Sequence, residues 1–178
     1  MKDPEWTHEF RRLWNRAVHA WHDGRRSPDT LFNPPDTALL QSLGCSPQEL
    51  FDFVDDHLTY AEPDFDTVLA TTAIRRDYFL NVQQGRPTDR VGSSDSLPPK
   101  DAEAAGIPWL PRILAKARLK LRGEMPPDLM YGCGGDRAFL AEVNLTLPAF
   151  LQMVRDHEHD DQPIIEAIKR QATAPKLP

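Results

Sequence analysis

Residues 46–58 read SPQELFDFVDDHL, and residues 146–158 read TLPAFLQMVRDHE. The first stretch opens as a capping box, with Ser46 ahead of Pro47 and Glu49 three residues on. Leu50, Phe53, Val54 and His57 then recur at the spacing of one helical face. In the second stretch Thr146 stands where Ser46 stood, and Pro148 sits in the tolerant first turn. Phe150, Val154 and His157 repeat the stripe. One helix written twice, 100 residues apart, predicts a duplicated all-α unit.

Reading outward at the same offset, Arg12 falls over Arg112, Asp36 over Asp136, Ala38 over Ala138, Leu40 over Leu140 and Pro63 over Pro163. Residue class agrees around these identities. Phe10, Leu13, Trp14 and Trp21 lie over Leu110, Ile113, Leu114 and Leu121. The pattern predicts two tandem pseudo-repeats of about four helices each, packed around one core: residues 1–83 and 108–178. Residues 84–107, rich in Pro, Gly and Ser, read as a mobile linker.

Within the first copy, a helix is expected from Asp3-Pro4-Glu5 to Gly24. Asp36 is expected to cap a short helix ending at Gly44, and a last helix runs from Pro63 towards Gln83. In the second copy the first helix spans Trp109 to Arg122 and stops at Gly123, and the last follows Pro163. The tail from Ala174 is expected to fray. No segment alternates with the period of a strand.

Composition narrows the function classes. The chain has 178 residues, 40% hydrophobic and 27% charged, a globular balance. Lys and Arg number 21 and Asp and Glu 27, so the net charge of −6 argues against nucleic acid or an anionic membrane as partner. No apolar run approaches a membrane span, and the N-terminus lacks a signal-peptide core. Two cysteines suggest no disulfide framework, so a cytoplasmic location is expected. The 17 prolines fit helix starts and connections.

The second copy contains LPRILAKARLKLRGEM, YGCGGDRAFL and LPAFLQMVRD. Leu110-Pro111-Arg112, Lys116-Ala117-Arg118, Gly123 and Tyr131-Gly132-Cys133 with Asp136 and Phe139-Leu140 resemble a bacterial domain-of-unknown-function family, number five thousand and sixty-nine. The resemblance covers roughly residues 106–170 and implies a small helical protein. It supplies no activity and no cofactor.

Several residues carry possible chemistry. His57 and His157 fall on the apolar stripes of equivalent helices, so both are expected to point inward. Such a pair could relay protons or bind a metal; the plainer alternative is that each satisfies carbonyls at its own helix end. Cys133 precedes a helix start, where a thiolate is favoured; a base would have to come from a histidine, and the plainer alternative is a small residue in a glycine loop. His157-Glu158-His159-Asp160-Asp161 reads as a solvated acidic loop, and no metal-ligand spacing is complete. Arg12, Arg16, Arg112 and Lys116 are expected to face solvent or a partner. Arg75, Arg76, Tyr78 and Phe79 have no match in the second copy and have the composition of a partner-binding hot spot or of intramolecular packing. The sequence therefore predicts a binding protein, for a protein partner, a second copy or a small ligand in the groove between repeats. The alternative is a small enzyme using the His pair with Cys133 or a metal.

Overall fold

Prolines and capping side chains cut this chain into helices. The computed structural model describes residues 4–173. It divides into two compact units, Met1–Pro87 and Thr88–Pro178. Asp3 and the tail from Ala174 lie outside the described residues.

The first unit runs α1 (Glu5–His22), α2 (Pro28–Leu31), α3 (Pro34–Ser42), α4 (Pro47–Tyr60) and α5 (Phe65–Asn81). Pro28, Pro34 and Pro47 each occupy the first helical position, where no amide is needed. Ser46 accepts from the Glu49 amide at 3.2 Å, and the Glu49 carboxylate takes the Ser46 amide at 2.7 Å, closing the predicted capping box. Asp64 caps α5 by accepting from the Thr67 amide at 2.8 Å. Phe10, Leu13, Trp14 and Ala17 of α1 are buried, as are Leu50, Phe53 and Val54 of α4 and Val68 of α5.

The second unit begins with a 3₁₀ turn, Ser94–Ser96, and a small hairpin. Its strands, β1 (Glu103–Ala104) and β2 (Ile107–Pro108), pair antiparallel with Glu103 opposite Pro108. Ala105 and Gly106 turn between them with φ of 53° and 77°, the double left-handed geometry of a two-residue hairpin. Then follow α6 (Leu110–Arg122), α7 (Gly134–Glu142), α8 (Leu147–Asp156) and α9 (Gln162–Thr173). Leu110, Ile113, Leu114, Ala117 and Leu121 form the buried face of α6 against Phe150, Leu151 and Val154 of α8. Arg122 donates to Glu158 at 2.8 Å, and Arg118 bonds the Glu158 carbonyl and the Asp161 carboxylate.

The mostly helical class is as predicted, with local corrections. Residues 84–107 hold ordered structure: the Gly92 amide bonds the Glu124 carbonyl at 2.8 Å, and the hairpin follows. Asn33, not Asp36, caps α3, because its side chain reaches the Asp36 amide at 2.9 Å. The Asp36 carboxylate closes the box in return, one oxygen accepting from the Asn33 amide at 3.2 Å and the other from Arg16. The acidic loop after α8 is ion-paired through Glu158 and Asp161. Among the described residues no helix is long and apolar enough to cross a membrane.

The two hydrogen bonds from Thr67 hold the Asp64 carboxyl below its ordinary value. A depressed folded value contributes stability above the unfolded value of 3.8, which is lost as pH falls through the lower folded one. Asp64→Ala is expected to lower stability by about 1 kcal/mol at neutral pH. Asp64→Asn should keep the cap but flatten the loss of stability on acidification below that value. Urea unfolding of both variants across pH checks this.

Candidate functional site

Three segments of the second unit meet at one carboxylate. Asp136 lies in the first turn of α7 and is fully buried, close to the positive end of that helix. One oxygen accepts from the Trp109 indole at 3.0 Å. The other accepts from the Lys116 ammonium at 2.5 Å and the Gly132 amide at 2.9 Å. Lys116 sits mid-way along α6 with its side chain 2% exposed. A buried charge is costly unless paired and hydrogen-bonded, and here the ammonium and the carboxylate bond each other directly. The expectation that Lys116 faces solvent is therefore corrected. Arg16 of the first unit is exposed, as expected, while pairing with the buried Asp36.

The local sequence makes this geometry possible. Gly132 has φ of 93°, which lets its amide turn back to Asp136. A side chain at Gly135 would come within 2.6 Å of the Trp109 ring, so the indole lies directly on the start of α7. Trp109 itself caps α6 with φ of 66°, an unusual angle for a bulky residue. Tyr131 is buried just before this turn and donates to the Leu147 carbonyl at 2.8 Å. Burial, and then the Asp136 charge, push its phenol well above its ordinary value.

Cys133 is half-buried at the N-cap of α7 and makes no capping bond. Its sulfur lies 3.2 Å from the Lys116 ammonium. No histidine hydrogen-bonds it among the described residues.

Beside this network lies a groove of about 530 Å³ between the hairpin, α7 and α9. Ile107, Trp109, Phe139, Val143 and Ile168 give it an apolar lining, and Gly135 belongs to its floor. Glu142 and Lys169 add charge at its edge. The groove belongs wholly to the second unit.

The other expected residues sit elsewhere. His57 is half-buried; its Nδ1 lies 2.9 Å from the Pro63 carbonyl, and its ring meets Trp14 edge-on at 5.3 Å. His157 is exposed, not inward, because α8 ends at Asp156 and the chain turns away at φ −128°. Arg75, Tyr78 and Phe79 are buried, and the Arg75 guanidinium donates to Gln83 at 2.7 Å while stacking near Phe79. Burial lowers the Arg75 guanidinium from its ordinary value, against the pull of Cys45 and Glu49. Burial favours the intramolecular-packing alternative for Arg75, Tyr78 and Phe79 over an exposed hot spot: with Val68, Thr71 and Thr72 they make up the single buried face of α5. Arg76 is half-buried over Trp6 at 5.2 Å. Of the expected site residues, only Cys133 adjoins the network. Among the described residues no three His, Cys, Asp or Glu side chains form a metal-binding group.

Sequence reasoning passed over Trp109, Lys116 and Asp136 as a set. A signal was present: the basic position 16/116 and the Asp at 36/136 both repeat at the same offset. Residues 99–177 match the family model described as a domain of unknown function (DUF5069), which bears out the family resemblance. No curated protein and no solved structure matches the chain.

Breaking the buried pair from one side leaves the other charge uncompensated. Lys116→Met is expected to cost about 3–5 kcal/mol, and Asp136→Asn a similar amount. The double variant should lose clearly less than the sum of the two. A double-mutant cycle by urea unfolding measures this coupling.

Proposed function

We propose that this protein is a helical binding protein whose second unit takes a small, largely apolar molecule in the groove walled by Ile107, Trp109, Phe139, Val143 and Ile168. One observation carries this reading. A groove of about 530 Å³ has the size of a small-molecule site, and its Trp109 wall is fixed by a hydrogen bond to a buried carboxylate. Preorganised walls reduce the ordering that binding would otherwise require.

The tandem-repeat reading belongs with this proposal. It is supported by the matched caps at Ser46 and Thr146 and by the matched ion pairs Arg16–Asp36 and Lys116–Asp136. The copies have diverged at the site. Arg16 is more than half exposed, whereas Lys116 is sealed in. On this reading the first copy keeps the ion pair as a brace, and the second has built a groove beside it.

A second reading is thiol chemistry at Cys133. The first copy places Asn33, a strong capping residue, at the equivalent N-cap, and there the side chain bonds the Asp36 amide. Cys133 makes no such bond and instead meets an ammonium. Giving up a cap costs about 1 kcal/mol, which favours a role for the sulfur itself. Iodoacetamide should then label Cys133 in the folded protein well ahead of the buried Cys45. Equal or negligible labelling of both would count against it.

The groove reading is tested with a neutral apolar dye, N-phenyl-naphthylamine. Saturable binding at one site per chain is expected, read as dye fluorescence. Ala138→Phe, which places a ring in the groove, should abolish it without lowering the melting temperature. Absence of saturable binding to the unaltered protein would overturn the proposal.

A further inference from the structure

The groove is apolar along its walls but not electrically neutral at its edge. Glu142 is the last residue of α7, exposed, and lines the groove. Among the described residues it makes no hydrogen bond or ion pair. Lys169, the other charged residue of the lining, is already engaged within the chain. The charged group of the lining left free to meet a ligand is therefore the Glu142 carboxylate. Position adds to it, because the C-terminal end of a helix carries partial negative charge on its carbonyls. The chain as a whole is acidic, with a net charge of −6, which raises the local concentration of cations and lowers that of anions.

Resting on the groove reading above, we infer that the molecule it takes is an amphiphile with a cationic head: an apolar body against Phe139, Val143 and Ile168, and an ammonium beside Glu142. A carboxylate-headed molecule of the same shape would meet like charge from Glu142 and from the end of α7. A neutral alcohol would gain the apolar contacts alone. The charge contact is exposed, so its effect is modest and falls with salt.

Three probes with one eight-carbon chain separate these cases: octylammonium, octanol and octanoate, each below its micelle concentration. Displacement of N-phenyl-naphthylamine reads their Kd. Octylammonium is expected to bind about fivefold more tightly than octanol, the upper end for an exposed ion pair, and octanoate more weakly than octanol. Glu142→Gln should bring octylammonium to the affinity of octanol and leave octanol unchanged. If octanol competes but octylammonium gains nothing, or octanoate binds best, the cationic assignment fails and the apolar groove stands. If the dye binds saturably and Ala138→Phe does not affect it, the dye lies elsewhere and both readings fall. Rising salt should erase the octylammonium advantage; an advantage that persists in high salt and in Glu142→Gln overturns the role given to Glu142.

Discussion

A single buried carboxylate, that of Asp136, organises the second unit. It accepts from the Trp109 indole, the Lys116 ammonium and the Gly132 amide. These donors come from the residue capping α6, from the middle of α6 and from the turn before α7. With both oxygens satisfied, the charge fixes the crossing of two helices and the start of a third contact through Tyr131, whose hydroxyl reaches the first residue of α8. Such a network is weak evidence for net stability, since apolar replacements of similar shape can do as well. Its stronger effect is geometric, because it ties the cap of α6, the middle of α6 and the turn before α7 to one point.

That geometry positions the groove. Trp109 belongs both to the network and to the groove lining. Its ring presses on Gly135 so closely that no other residue fits there without displacement. The glycines of YGCGGD thus have separate physical tasks. Gly132 supplies a backbone angle, Gly135 supplies space, and Gly134 has nothing closer than Arg137 at 4.0 Å. The wall so formed is held by packing and by a hydrogen bond, while Glu142 stays open to solvent. The proposed amphiphile would use this apolar wall together with the charged lining residue Glu142.

The first unit uses cations differently. Arg11 stacks on Phe65 at 4.1 Å and Arg76 lies over Trp6 at 5.2 Å, around an aromatic layer that includes Phe10 and Trp14. His57 joins this layer through Trp14 and closes the end of α4 by bonding the Pro63 carbonyl. These are packing roles: each polar head finds a partner at the edge of an apolar stack.

Helix starts were legible because they depend on neighbours in the chain. Ser46, Pro47 and Glu49 form the box their spacing announces, and Gly123 ends α6 in the left-handed conformation. The stripes of α1, α4, α6 and α8 were legible for the same reason, since a period is a local property. The error at His157 was also local: one residue past the end of a helix, the periodic projection no longer applies. The burial of Arg75 was not legible because the buried face of α5 is itself partly polar, with Thr71, Thr72 and Arg75 between Val68 and Tyr78, so hydropathy does not mark it. The pairing of Lys116 with Asp136 could not be projected from either helix alone, since a helical wheel shows the direction of a side chain but not what waits there. The amino-acid order by itself determined where helices begin and end and which faces are apolar, because those choices are made within a few residues. Tertiary structure alone decided which charges are buried together and where a groove opens, because both depend on segments far apart in sequence meeting at a common point.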